Sequence, residues 1–130
     1  MAERTPELSR RQAYRRGHRA ESVAALLLRL KGFRILERRT KTPLGEIDLI
    51  AIRGSLIIFV EVKQRARNAA TLEVLTPRQQ QRIMRAAHYW LPRHPSLSGH
   101  NYRFDMVVVQ PYLWPQHIAD AFTAGSHRSP

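Results

Sequence analysis

The sequence predicts one α/β domain, a mixed β-sheet flanked by helices. Three observations carry that expectation. Apolar residues recur at helical spacing in two separated stretches, near residues 20–30 and 83–90. Between and after them lie apolar runs of strand length, rich in β-branched residues: IDLIAI, LIIFVEV and FDMVVV. With 130 residues, 43% hydrophobic content and no repeat or linker, the chain can bury one sizeable core.

Each element follows from local chemistry. Residues 1–10 read as a flexible basic arm, and the domain proper as 11–122. A first helix is expected from Arg11 to Lys31, with Ala20, Val23, Ala24, Leu27 and Leu30 at helical spacing and Gly32 as terminator. Phe33–Arg39 alternates like a strand, and Lys41–Gly45 reads as a turn. Residues 45–63 form a hairpin around Gly54-Ser55, and residues 64–75 a connection of open shape. Thr76 then caps a second helix, with Pro77 in its first turn, Gln79 placed for a capping box and Ile83, Ala86, Ala87 and Trp90 as its buried stripe. A loop over residues 92–101 leads to a strand at Tyr102–Gln110, HIADAF reads as a short closing strand, and residues 123–130 read as a disordered tail.

Charge narrows the function classes. Twenty-two Lys and Arg against ten Asp and Glu leave +12, which calls for a polyanionic partner. Nucleic acid is the expected one, and an anionic membrane surface is the rival. Nineteen of the cations are Arg, which grips phosphate in a bidentate fashion, although a GC-rich genome would also write Arg for Lys. The absence of cysteine removes disulfides and thiolate metal sites and fits a reducing compartment. The charged N-terminus is no signal peptide, and the runs Val23–Leu28 and Leu56–Val60 are too short to cross a bilayer. A cytoplasmic protein without a membrane partner is the expectation, and a homodimer stays open.

The hairpin GEIDLIAIRGSLIIFVEVK holds the candidate chemistry. A two-residue type II′ turn at Gly54-Ser55 sets the register, so that Asp48 falls opposite Glu61 and Glu46 opposite Lys63. Period two puts Asp48, Glu61 and Lys63 on one face. Opposed carboxylates repel, and a partly buried pair has one pKa pushed up. Mg²⁺ or Mn²⁺ bound by oxygens from both strands would compensate. The competing reading is an edge hairpin with a solvated outer face, its acids neutralised by Lys63 and Arg65.

Together, GEIDLIA, FVEVK, RFDMVVV and HIADAF, over residues 13 to 122, resemble the YraN-like family of predicted endonucleases within the PD-(D/E)XK nuclease superfamily. That resemblance implies a restriction-endonuclease-like fold related to Holliday junction resolvases. It implies Asp48 and Glu61 as metal ligands with the Val62 carbonyl, Lys63 as the residue orienting or activating water, and Glu21 on the first helix as the completing acid. Ile47 stands where the superfamily name carries proline, and Gln79-Gln80-Gln81 where relatives carry a lysine. The expected activity is metal-dependent hydrolysis of phosphodiesters in DNA, of branched or structured form. The alternative is an inactive binding module of the same fold. Arg15, Arg16, Arg19, Arg65, Arg67, Arg78, Arg82 and Arg85 are the expected phosphate contacts. Asp105 is expected to pair with Arg103 or Arg65, and Tyr112 and Trp114 to pack, with stacking on unpaired bases as the other reading.

Overall fold

The computed structural model describes residues 6–66 and 75–123. Helix α1 spans Pro6–Leu30, strands β1 and β2 span Arg34–Thr42 and Gly45–Arg53, and β3 spans Leu56–Gln64. Helix α2 covers Pro77–Trp90, and β4 and β5 cover Asn101–Val109 and Gln116–Phe122. The strands lie in the order β1-β2-β3-β4-β5, antiparallel except for β3 and β4, which are parallel. This is a single α/β domain with a mixed five-stranded sheet, consistent with a restriction-endonuclease-like fold.

The sheet is covered on both faces, which explains its nearly unbroken apolar runs. On one face Ile50, Ile52, Ile57, Phe59, Phe104 and Val108 pack with Ile83, Ala86, Ala87 and Trp90 of α2. On the other, Leu49, Ala51, Ile58, Val60 and Val107 pack with Ala24, Ala25, Leu27 and Leu28 of α1. Period two along β3 assigns its odd residues to the α2 face and its even ones to α1. Glu61 and Lys63 therefore continue the row of Ile57 and Phe59.

Several expectations shift. Helix α1 starts at Pro6, ahead of the expected Arg11, because proline suits a first helical position. Its buried stripe is rotated: Glu21 and Leu28 lie in the core face, while Leu30 is exposed. The helix ends in a Schellman motif, with Phe33 N–H bonded to the Leu28 carbonyl, Gly32 N–H to the Arg29 carbonyl and Gly32 at φ 91°. Strand β1 runs on to Thr42, and the turn shortens to Pro43-Leu44. The expected α2 cap is present: Gln79 N–H donates to the Thr76 hydroxyl, and the Gln79 amide oxygen accepts from Thr76 N–H. The closing strand β5 is present too. Residues 1–5, most of the 64–75 connection and the tail from 124 lie outside the described residues.

Candidate metal and phosphate pocket

The hairpin turn comes first, because it sets everything downstream. Gly54 has φ 59° and Ser55 is not left-handed, as a type II′ turn requires. The register runs from Arg53↔Leu56 to Leu49↔Val60 as expected. There the ladder stops. Beyond it β2 pairs only with β1, through Ile47↔Thr40, Glu46↔Lys41 and Gly45↔Thr42. Strand β3 pairs only with β4, through Glu61↔Met106 to Gln64↔Val109. The expected cross-strand pairs Asp48–Glu61 and Glu46–Lys63 are thus replaced by a notch in the sheet. Two features hold it open: carboxylates meet where the ladder would continue, and the start of β2 leans onto α2. A Cβ on Gly45 would lie 3.0 Å from the Arg82 carbonyl oxygen, so only glycine allows that approach.

The Asp48 side chain bridges the notch. Its Oδ2 accepts the Val62 N–H at 2.8 Å, taking the place of a strand carbonyl. Burial pushes the Asp48 carboxyl up to about 8, and the charge of Glu61 adds to the rise. The Val62 N–H works against it, while a hydrogen bond with Glu61 and the charge of Glu21 push further up. At neutral pH this pair of acids holds a proton. Lys63 Nζ lies 3.2 Å from Glu61 Oε1 and neutralises that partner rather than Asp48.

Glu46, Asp48, Glu61 and Lys63 line one cavity of about 290 Å³ with Gln79, Arg82 and Ile83 of α2. Strands supply the acids and the lysine; the helix supplies a cation. Glu21 is placed differently. It is buried on α1, across the sheet from α2, and is not among the cavity's lining residues. Arg39 Nε holds its Oε2 at 2.6 Å. Arg39 is therefore an ion-pair partner of Glu21, and it sits in β1 at φ 53°, a conformation rare for arginine. No sequence signal marks that residue, because its role depends on the β1–β2 pairing.

The expected phosphate contacts separate. Arg78, Arg82 and Arg85 are exposed on α2, and Arg82 reaches the cavity wall. Arg19 is exposed on α1, whereas Arg65 is half-buried with Nη1 on the Gln64 carbonyl at 3.0 Å. Arg67 and the side chains of Arg15 and Arg16 lie outside the description. Asp105 is fully buried on the α1 face and pairs with Arg103. Tyr112 and Trp114 are not part of the core, where packing was expected to place them: they are 91% and 76% exposed.

The donor set suits a hard divalent cation. Among the described residues no three His, Cys, Asp or Glu side chains gather where they could hold a metal ion by themselves. Carboxylates from two strands beside open space are what Mg²⁺ or Mn²⁺ uses when it keeps waters and takes phosphate oxygens. The raised Asp48 pKa is the mark of a buried carboxyl with a second acid beside it. No described helix is long and apolar enough to cross a membrane.

The family model described as Uncharacterised protein family UPF0102 matches residues 20–109, which contain Glu21, Asp48, Glu61 and Lys63. A UPF0102 protein, mlr4633, from Mesorhizobium japonicum is 52% identical over 122 residues, covering 94% of this chain and 97% of its own. One from Parvibaculum lavamentivorans is 53% identical over 110 residues, 85% of this chain and 83% of its own. A third, from Brucella canis, is 51% identical over 118 residues, 91% and 94% respectively.

Proposed function

This chain belongs to the UPF0102 (YraN-like) family, and on the chemistry of its pocket we propose that it is a metal-dependent nuclease acting on DNA. One observation carries the reading. Where the ladder ends, Asp48 and Glu61 share a cavity with Lys63 and Arg82, and the Asp48 carboxyl is pushed up to about 8. Asp48, Glu61 and the Val62 carbonyl would hold Mg²⁺ or Mn²⁺, which supplies water activation and charge neutralisation at phosphate. Glu21 would bias the site through its charge on Asp48, with Arg39 setting its position. Lys63 orients the attacking water and steadies charge developing on phosphate; its compact ammonium can change protonation, unlike a guanidinium. Arg82 at the cavity wall, with Arg78 and Arg85 on the same helix, grips the phosphate backbone and reads no sequence. Branched or structured DNA is the substrate form proposed, and the cytoplasm the compartment.

The second reading is a DNA-binding module without hydrolysis. The engagement of Glu21 by Arg39 favours it, because a cation then holds that carboxylate away from the cavity lined by Glu46, Asp48 and Glu61. The deciding assay offers duplex, flap and four-way-junction DNA to wild type and Asp48→Ala, each with Mg²⁺, Mn²⁺ or chelator. The nuclease reading expects metal-dependent cleavage by wild type, at least about a hundred-fold reduced in the variant, the scale of losing one positioned group. Binding without cleavage in every arm selects the module.

A further inference from the structure

On the α1 face of the sheet, opposite the pocket, a buried acid, an imidazole and an exposed amine stand in line. They are Asp105 of β4, His117 of β5 and Lys31, just past the end of α1. His117 Nε2 lies 2.8 Å from Asp105 Oδ2, and Lys31 Nζ lies 2.9 Å from His117 Nδ1. The His117 side chain is 5% exposed and its ring crosses that of Phe33 at 80°, so burial keeps it in place. The lysine at the end of the line is open to water.

Hydrogen-bond chemistry fixes where the protons sit along this line. Arg103 donates to both Asp105 oxygens, and Asp120 N–H donates to Oδ1, so the carboxylate acts as an acceptor throughout. His117 Nε2 must therefore carry the hydrogen between them. An ammonium donates and cannot accept, so Nδ1 is the bare nitrogen, with its lone pair toward Lys31 Nζ. A base is thus held at hydrogen-bond distance from an exposed amine, its tautomer set by a buried acid. That is the arrangement by which a side-chain nucleophile is served by a general base and an orienting carboxylate. The pocket lysine is placed otherwise: Lys63 Nζ faces the Glu61 carboxylate at 3.2 Å.

We infer that Lys31 is a site of acylation, taking small activated acyl groups of the acyl-phosphate class with His117 as its general base. Once the ammonium has lost one proton to water, the amine keeps an N–H on Nδ1 and turns its lone pair to solvent. That lone pair attacks the acyl carbon and the C–N bond forms. His117 Nδ1 takes a proton from the nitrogen as the acyl C–O bond breaks and phosphate leaves with the bonding pair. The departing phosphate then accepts the proton that Nδ1 collected, which restores the neutral imidazole. The resulting amide still has one N–H to donate to Nδ1, so the product fits the same line. One positive charge is lost from a chain whose net charge is +12.

Lys41, exposed on β1, gives the test an internal control. Folded wild type is treated with limiting acetyl phosphate at neutral pH, and the labelled positions are read by peptide mass spectrometry. Lys31 should be acetylated about a hundred-fold faster than Lys41, the low end for a positioned general base. In urea, where the line is broken, the two should react alike. His117→Gln keeps a donor for Asp105 and an acceptor for Lys31 but supplies no base, and it should bring Lys31 level with Lys41. Should that variant fail to fold, the Lys31-to-Lys41 ratio of wild type with and without urea decides alone. Equal labelling of the two lysines in folded wild type overturns the inference. So does a preference for Lys31 that survives urea, or one that survives His117→Gln in a folded variant.

Discussion

Asp48 and Asp105 stand on the two strands that flank β3, and burial has opposite consequences for them. Asp105 is fully buried, yet its carboxyl is held below the usual range. Burial pushes it up, and hydrogen bonds outweigh that push. Arg103 donates twice, at 2.7 and 2.8 Å, His117 sits at 2.8 Å, and Asp120 N–H donates at 3.0 Å. Burial pushes Asp48 up as well, a second carboxylate adds to the push, and one backbone donor is too little to offset them, so its carboxyl rises to about 8. Burial is not what separates a structural acid from a site candidate. The number of donors is. A saturated carboxylate holds the fold; an unsaturated one can take a cation.

The largest effect expected from this contrast is on Asp105. Replacement by alanine leaves Arg103 and His117 facing an empty buried space and should cost about 3 kcal/mol, the low end for a broken buried pair because Arg103 is partly exposed. Urea unfolding measures it. A cost under about 1 kcal/mol, the range of exposed pairs, would remove the distinction between the two acids.

Dependence on pH should be opposite for the two. Metal-free protein keeps an extra proton on Asp48 between its unfolded value of 3.8 and about 8. That contribution is complete below 3.8 and is lost as pH rises toward 8. It amounts to about 2 kcal/mol once discounted for an open pocket, against 1.36 kcal/mol per unit for a sealed one. Asp48→Asn should flatten the alkaline limb. Asp105, with its lowered pKa, contributes stability above 3.8 that is lost as pH falls through its folded value. Thermal melts from pH 3 to 9 in chelator, for wild type and Asp48→Asn, separate the two limbs. An unchanged alkaline limb in the variant would assign it to another group.

Metal should act only on the unsaturated acid. Millimolar Mg²⁺ or Mn²⁺ should raise the wild-type melting temperature, the gain in unfolding free energy being about 2.7 kcal/mol at a hundred times the dissociation constant. Binding at pH 7 should release on the order of one proton, since the ligands must ionise. Asp48→Asn should abolish most of the rise. A wild-type melt that stays put across that range would favour the binding module.

The smallest stability effect belongs to Lys63. Its contact with Glu61 is partly exposed, so Lys63→Ala should cost under about 1 kcal/mol and retain the metal-induced rise. Cleavage should fall by about a hundred-fold or more. Cleavage at wild-type rates would move the water-orienting role elsewhere in the pocket.

Much of this molecule was legible from short-range chemistry. The Gly54 turn, the Thr76–Gln79 capping box and the stripe from Ile83 to Trp90 depend on residues within a few positions of one another. Turn type and periodicity also set the register down to Leu49↔Val60 and the shared face of Glu61 and Lys63. The extreme of that register was misjudged. A ladder read along two strands does not say where it ends, and beyond Leu49 and Val60 the strands β2 and β3 keep only their outer neighbours β1 and β4.

What the sequence determined by itself, then, is the set of elements, the hairpin phase and the placing of Asp48, Glu61 and Lys63 on one face, since each interaction is reached along the local chain. Tertiary structure decided which charge each acid meets. Arg39 was brought to Glu21 across β1, His117 to Asp105 from β5, and Arg82 to the cavity from α2, while Tyr112 and Trp114 were left in solvent. A carboxyl's pKa depends on donors within a few ångströms, and here those donors come mostly from elements far away in sequence.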